Sequence, residues 1–157
     1  PGDVTRYHSR IKPERRKKQL LFDFLQGKRK IMIATSAFSM GIDVPDIELV
    51  VHFNAPISMT DYIQQIGRAG RDGRKAHCVL FYNQNGDDDA ISASFIKKAK
   101  KQSPKAAKTI KSNLNQVHNF IHSDSCMVCD ILEYQGQYET KTCKRCTVCA
   151  QKRRNSK

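Results

Sequence analysis

Five cysteines crowd the last third of this 157-residue chain and restrict how that part can fold. They are Cys126, Cys129, Cys143, Cys146 and Cys149. Thiolates at three-residue spacing are typical of tetrahedral zinc, whereas a disulfide framework needs an oxidising compartment, of which the sequence gives no sign. A pair of C-x2-C motifs would take Cys126, Cys129 and two of the last three. The sixth cysteine, Cys78, is interpreted as a small buried hydrophobe.

The first half of the chain alternates short apolar runs with helical patterns. Residues 31–34, 49–53 and 78–82 are apolar runs that predict buried strands. Residues 13–25 place four apolar side chains on one helical face, and a capping box at residues 58–61 predicts a second helix, which ends at Ile66. Strands alternating with helices predict an α/β fold with a parallel sheet flanked by helices.

The stretch from residue 90 to residue 123 contains no acidic residue. Its lysines are Lys97, Lys98, Lys100, Lys101, Lys105, Lys108 and Lys111. A polar loop at residues 83–89 precedes this stretch. Ser103-Pro104 is expected to divide the stretch into two helices. The chain has a net charge of +13, which favours polyanionic partners. The lysines are either a solvated helical face or a surface that follows nucleic-acid phosphates.

Residues 64–73 form a glycine-rich segment with the pattern Q-x-x-G-R-x-G-R-D-G. Arginine is suited to bidentate recognition of phosphate, and small neighbours let a phosphate approach the backbone closely. The segment follows a predicted strand and helix. This pattern favours a phosphate-binding role over a solvated surface turn.

The same segment resembles motif VI of superfamily-two helicases, in the form found in RecQ helicases. Residues 33–43 resemble motif V of that family, and residues 51–56 and 61–65 match it as well. The resemblance extends from about Arg6 to about Cys149. It implies a RecA-like fold of the P-loop NTPase type, followed by a small helical zinc-binding subdomain.

The resemblance also implies a particular set of zinc ligands. RecQ zinc subdomains place one cysteine on a helix and a C-x2-C-x2-C run seventeen residues later, which selects Cys126, Cys143, Cys146 and Cys149 for a structural Zn²⁺. Cys129 falls at a position that is not a ligand in the family. Met127 and Val128 stand where the family has two arginines, so the resemblance does not extend to the DNA contacts of that helix.

In this family ATP binds between two RecA-like lobes, and the first lobe carries the P-loop and the Mg²⁺ carboxylates. The chain has no G-x-x-x-x-G-K-[ST], so it corresponds to the second lobe, N-terminally truncated, and should not hydrolyse ATP alone. The resemblance implies that Arg68 and Arg71 reach the γ-phosphate and that Gln64 helps to order the site. Asp43, after the turn at Gly41, would contact the nucleotide ribose or the coupling arginines.

The expected partners are the first lobe and DNA, single-stranded or at duplex junctions in the full enzyme. Thr35 and Ser36 would hold a phosphate of the tracked strand, unless Thr35 only caps the following turn. Lys97, Lys98, Lys100 and Lys101 would follow the backbone. The family unwinds DNA in the 3′-to-5′ direction during repair and recombination. The alternatives are a non-catalytic zinc-containing nucleic-acid-binding module and an RNA helicase lobe.

The expected organisation is a RecA-like lobe at residues 1–85, a zinc subdomain at 86–150 and a basic disordered tail at 151–157. The chain opens at Pro1 rather than Met and is interpreted as a piece of a longer protein. No apolar run approaches the roughly 18–20 residues that cross a membrane. We therefore expect no membrane partner and an intracellular location, in the nucleus of a eukaryote or the cytoplasm and nucleoid of a bacterium.

Overall fold

Strands and helices alternate in the first half of the chain, and helices alone make up the second half. The computed structural model describes residues 2–38 and 47–156. In chain order its elements are β1 (Val4–Tyr7), α1 (Glu14–Leu25), β2 (Ile31–Ala34), a 3-10 helix (Ser36–Phe38), β3 (Leu49–His52), α2 (Met59–Ile66), β4 (His77–Leu80), α3 (Asp87–Gln102), α4 (Pro104–Ile121), α5 (Met127–Tyr134) and α6 (Thr147–Asn155). This order confirms the predicted α/β fold followed by a helical region.

The chain divides into two compact units. The first contains Pro1–Glu48 and Gly67–Ala76, and the second contains Leu49–Ile66 and His77–Lys157. The strands β3 and β4 and the helix α2 therefore share a unit with α3 to α6. These compact units have boundaries that differ from the domain boundary expected at residue 85, and that domain boundary stays a prediction.

In the first unit, β1 and β2 form a parallel pair that runs from Val4 opposite Ile31 to Tyr7 opposite Ala34. Helix α1 packs against β1. Phe38 contacts two other rings edge-on, those of Tyr7 at 5.7 Å and Phe24 at 6.1 Å between centroids. These contacts hold the turn after β2 against the strand and the helix.

In the second unit, β3 and β4 form a parallel pair that runs from Leu49 opposite His77 to His52 opposite Leu80. Its core is a cluster of buried side chains in which Met59 and Tyr62 of α2 pack with Val117 and Phe120 of α4. Partly buried side chains surround this cluster: Ala55, Ile66, Leu80, Ile121, Met127 and Ile131. Helices α2, α4 and α5 and the strand β4 therefore share one core.

The strands are far more exposed than their apolar sequences predict. Ile33 is 65% exposed and Leu49 is 55% exposed. Cys78 is also exposed, so its interpretation as a buried hydrophobe is wrong. A parallel sheet normally has helices on both faces. Each pair of strands among the described residues is covered only in part, which leaves apolar side chains open.

The helix ends follow local capping chemistry. The Ser58 hydroxyl accepts from the Asp61 N–H at 3.1 Å, which is the first bond of a capping box, and donates to the Asp61 carboxylate at 2.7 Å. Ser103 caps α4 by accepting from the Ala106 N–H at 3.0 Å, with Pro104 in the first turn. Both predicted helix starts are confirmed.

The basic tail differs from the prediction of disorder. Helix α6 begins at Thr147 and continues to Asn155. Three cations lie in its last turn, where they complement the negative end of the helix dipole: Lys152, Arg153 and Arg154. The expectation of a disordered tail from residue 151 overlooked this continuation of the cysteine-bearing helix.

Candidate functional site

Four of the five clustered cysteines converge in the second unit. The Sγ atoms of Cys126, Cys143, Cys146 and Cys149 all lie within 4.8 Å of one another. A tetrahedral Zn²⁺ with Zn–S bonds of about 2.3 Å places its sulfurs about 3.8 Å apart. The four thiols therefore fit a thiolate zinc site with a small contraction.

Helix starts and a tight turn bring these sulfurs together. Cys126 is the N-cap of α5 and Cys146 is the N-cap of α6. Between Cys143 and Cys146 the backbone turns through Lys144, which adopts a positive φ of 57°. In this turn the N–H groups of Arg145 and Cys146 donate to the Cys143 sulfur, at 3.4 and 3.3 Å. A thiolate accepts such bonds more strongly than a thiol does.

The cluster divides into thiols that lose their protons readily and thiols that keep them. Burial favours the neutral form of Cys126, but hydrogen bonds from Cys143 and Cys129 outweigh it and lower its pKa to about 6. The pKa of Cys146 is also lowered, against burial, by the backbone N–H groups of Cys149 and Met127. Burial and hydrogen bonding to Cys146 raise the pKa of Cys149 to about 12. A bound metal would displace the remaining protons, because only thiolates are ligands.

Cys129 lies on α5 outside this group of four. Its Sγ donates to the carbonyl of Lys141 at 3.6 Å. Burial and the neighbouring Cys126 raise its pKa to about 11, which favours the neutral thiol. The structure thus brings together the four cysteines that the resemblance selects, and their role as zinc ligands stays a prediction.

The part of the glycine-rich segment that carries Arg68 and Arg71, residues 67–73, folds back on itself in the first unit, and we call it the arginine segment. Gly70 donates its N–H to the carbonyl of Ile47 at 3.0 Å and has a positive φ of 67°. A Cβ at this position would lie 2.9 Å from the carbonyl oxygen of Arg74, closer than side chains approach. Glycine is needed here both for the backbone angle and for the close approach.

The two arginines of this segment differ in exposure. Arg71 is exposed, and its Nε donates to the carbonyl of Gly67 at 3.1 Å. Arg68 is half-buried. A third arginine, Arg74, was not singled out from sequence: its Nε donates to Asp72 at 2.7 Å, and it lies 3.4 Å from Glu48. The N–H groups of Arg74, first of its backbone and then of its side chain, lower the pKa of Asp72.

Gln64 lies on the exposed side of α2, in the second unit. Its neighbour Gln65 turns inward and bonds His52 Nε2 at 2.8 Å. Burial lowers the pKa of His52, and the Gln65 bond opposes this shift in part. Sequence reasoning missed the pairing of His52 with Gln65, since thirteen residues separate the two side chains.

The remaining predicted site residues lie in exposed positions or outside the described chain. Thr35 and Ser36 are exposed at the carboxyl end of β2, the end at which α/β sheets bind ligands. Gly41 and Asp43 lie outside the described residues. The four lysines predicted to follow a nucleic-acid backbone are all exposed in the last turns of α3: Lys97, Lys98, Lys100 and Lys101. Among the ion pairs of residues 2–38 and 47–156, none involves these four.

Asp88 is a structural residue that sequence reasoning missed. It is one of three consecutive aspartates in the segment predicted above to be a polar loop, yet it is only 3% exposed. Its carboxylate accepts the N–H groups of Ala55 and Asn83, both at 2.7 Å. The three aspartates open α3, where negative charge complements the helix dipole.

Two family models match this chain, and together they decide its family. Residues 2–73 match the model described as the helicase conserved C-terminal domain. Residues 87–150 match the RecQ zinc-binding model, which contains the four convergent cysteines. This chain belongs to the RecQ family of helicases. It combines a helicase C-terminal domain with the zinc-binding region specific to RecQ proteins.

Curated relatives support the assignment to RecQ. The ATP-dependent DNA helicase RecQ of Bacillus subtilis is 35% identical over 148 residues, 94% of this chain and 24% of that protein. The human ATP-dependent DNA helicase Q4 is 48% identical over 75 residues, 48% of this chain and 6% of that protein. A mimivirus protein named as an ATP-dependent RNA helicase is 36% identical over 91% of this chain and 25% of its own length. The chain thus spans about a quarter of the length of relatives that match most of it.

Solved helicase structures also resemble the chain. A protein from Sulfolobus tokodaii described as a hypothetical ATP-dependent RNA helicase has a TM-score of 0.46 at 31% identity, covering 53% of this chain and 25% of that one. No helix among the described residues is long and apolar enough to cross a membrane.

Proposed function

We propose that this chain is the second motor lobe and zinc-binding subdomain of a 3′-to-5′ ATP-dependent DNA helicase that acts in repair and recombination. The observation that carries the proposal is the convergence of four cysteines within a RecQ zinc-binding region, directly after a helicase C-terminal domain. The first lobe of the same enzyme supplies the P-loop and the carboxylates that hold Mg²⁺. The chain alone is expected to have no ATPase activity.

The arginine segment would act on ATP bound against the first lobe. Arg71 is exposed on a turn in which Gly70 is bonded to Ile47. Cations positioned at the γ-phosphate stabilise the charge that develops during phosphoryl transfer. Arg68 would reach the same phosphate, and Gln64 would help to order the site. Asp43, with Gly41, would contact the nucleotide ribose or these arginines.

The chain would grip single-stranded DNA through phosphate contacts. Thr35 and Ser36 lie at the carboxyl end of β2 and would bind one phosphate of the tracked strand. The lysines of α3 would follow the backbone further along. ATP binding and hydrolysis would close and reopen the two lobes, and each cycle would advance the motor along the strand.

Zn²⁺ has a structural role in this proposal. Cys126, Cys143, Cys146 and Cys149 would hold it with all four coordination positions filled by protein, as in structural sites. The metal would tie α5, α6 and the turn at Lys144 together. Cys129 would keep its proton and stay outside the coordination sphere.

The decisive experiment replaces Arg71 in the full-length enzyme. Arg71→Ala should lower kcat about 10³-fold or more while ATP still binds, because the guanidinium acts mainly on transition-state charge. Lys75→Ala, an exposed cation two residues beyond the segment, is the matched control and should leave kcat near the wild-type value. An Arg71→Ala enzyme with normal DNA-stimulated turnover would rule out this role for Arg71.

An RNA helicase is the second candidate, favoured by the mimivirus relative named as an ATP-dependent RNA helicase. The two functions differ in the strand that stimulates hydrolysis. The DNA helicase proposal expects oligothymidine to stimulate the full enzyme's ATPase and expects oligouridine of equal length to be a poor substitute. The reverse preference would favour the RNA helicase.

A non-catalytic module is the third candidate. It predicts that the full-length protein binds nucleic acid without any ATPase activity that depends on Arg71. The same ATPase measurement therefore separates this candidate from the other two.

A further inference from the structure

Three aromatic rings meet at the surface of the second unit, where β4 ends beside α4. His118 lies in the last turn of α4 and His122 is its C-cap, with ring centroids 4.3 Å apart. Tyr82 contacts both rings edge-on, at 6.3 and 5.6 Å. Both histidines are exposed, whereas Tyr82 is half-buried. These rings have no part in the roles proposed above for the zinc-binding cysteines and the arginine segment.

The same side of α4 also carries two lysines. At about 100° per residue, Lys108, Lys111, His118 and His122 fall within a stripe about 80° wide. All four are exposed. The stripe runs about 21 Å along the helix at about 1.5 Å per residue. We call these four residues the α4 stripe.

The charge along α4 suits a polyanion. Helix α4 contains no carboxylate. Burial is the largest cause that raises the pKa of Tyr82, and the carboxylates of Asp89 and Asp88 raise it further, so both lie near the rings. Each is already engaged by backbone N–H groups: Asp88 by Ala55 and Asn83 at 2.7 Å, and Asp89 by Asn85 at 3.0 Å. Both histidines stay exposed beside them.

We propose that the α4 stripe is a contact site for single-stranded DNA, with bases stacked on His118 and His122 and phosphates bound by Lys108 and Lys111. The proposal rests on the DNA-binding function proposed above and adds a defined path to it. Aromatic rings bind unpaired bases with little regard to sequence, and lysines beside them bind the phosphates that join those bases. Duplex DNA keeps its bases stacked inside the helix, so the stripe should favour a single strand.

The test separates stacking from phosphate contact. The chain is titrated with fluorescent oligothymidine and with an abasic oligonucleotide of the same phosphate count, at several salt concentrations. The pair His118→Asn and His122→Asn should weaken oligothymidine binding about tenfold and leave abasic binding unchanged. The pair His118→Phe and His122→Phe keeps the rings and should bind oligothymidine like the wild type.

The lysines should behave differently. Lys108→Gln with Lys111→Gln should weaken both oligonucleotides and reduce the salt slope by about 1.4, which is about 0.7 for each lost phosphate contact. The two histidine pairs should leave that slope unchanged. Zinc content and helicity are measured on every variant, and single substitutions at His122 replace any pair that does not fold.

Several results would overturn the stripe. If the Asn pair bound oligothymidine as tightly as the wild type, the histidines would not stack on bases. If the Phe pair bound as weakly as the Asn pair, aromatic rings would not be the source of the affinity. A chain that binds neither oligonucleotide would also refute the stripe. The Arg71 measurement on the full enzyme is independent of this titration, so the motor proposal can stand while the stripe fails.

Discussion

Asp88 shows how one side chain can hold two loops of the second unit. Its carboxylate joins Ala55, after β3, to Asn83, after β4, through two short hydrogen bonds. A buried carboxylate is stable only when such donors satisfy it. Because Ala55 is far from Asp88 in sequence, local patterns could not reveal this role.

Removing that carboxylate should destabilise the chain. Asp88→Ala leaves two backbone N–H groups without their acceptor, and we expect the free energy of unfolding to fall by about 3 kcal/mol. Urea denaturation measures this. Asp89→Ala is the matched control, since Asp89 is exposed and accepts one bond, and it should cost less than about 1 kcal/mol. Equal effects of the two substitutions would contradict the assigned role.

His52 should make stability depend on pH. Burial lowers its pKa in the folded chain, so between that lowered value and about 6.5 the unfolded chain binds more protons. Stability from this residue is therefore present above pH 6.5 and is lost as the pH falls through the folded pKa. Urea midpoints from pH 8 to pH 5 should fall less steeply for His52→Asn than for the wild type. Parallel profiles would show that another group causes the loss.

At the scale of elements, the two lysine-bearing helices were predictable because their limits depend on local chemistry. Ser103 and Pro104 end one helix and begin the next, and a capping serine marks the start of α2. Exposure was less predictable. An apolar run such as residues 31–34 indicates a strand, but its burial depends on which other elements cover it.

The α3 lysines provide the test at this scale. Replacing Lys97, Lys98, Lys100 and Lys101 with Gln should reduce the salt slope of oligothymidine binding by about 2.8, if each contacts one phosphate. The measurement is the same salt titration. An unchanged slope would mean that the four lysines are a solvated face that complements the C-terminal end of the α3 dipole.

At the scale of the whole molecule, the cysteine spacing and the helicase motifs allowed the family to be predicted, and the comparisons confirm it. The four cysteines could be selected from five only through the resemblance, since spacing alone admits Cys129. The distribution of compact units could not be predicted. It depends on packing between Tyr62 and Phe120, whose rings lie 5.3 Å apart although 58 residues separate them in sequence.

Zinc should hold the second unit together. We expect one zinc per chain, and Cys143→Ser or Cys146→Ser should lose the metal and the helicity of α5 and α6, because structural zinc contributes folding energy directly. Cys129→Ser is the matched control and should retain both. Elemental analysis and circular dichroism report the two properties. Metal loss in Cys129→Ser with retention in Cys126→Ser would show that the ligand set is wrong.

The core shared by α2, α4 and α5 has a consequence for how such proteins change over time. The helicase region and the zinc-binding region match separate family models, yet their side chains fill the same interior. A gene exchange that joined residues 1–85 of one relative to the later helices of another would place unmatched side chains around Tyr62 and Phe120. We therefore expect the two regions to be inherited as a single unit, with compensating substitutions on both sides of residue 86.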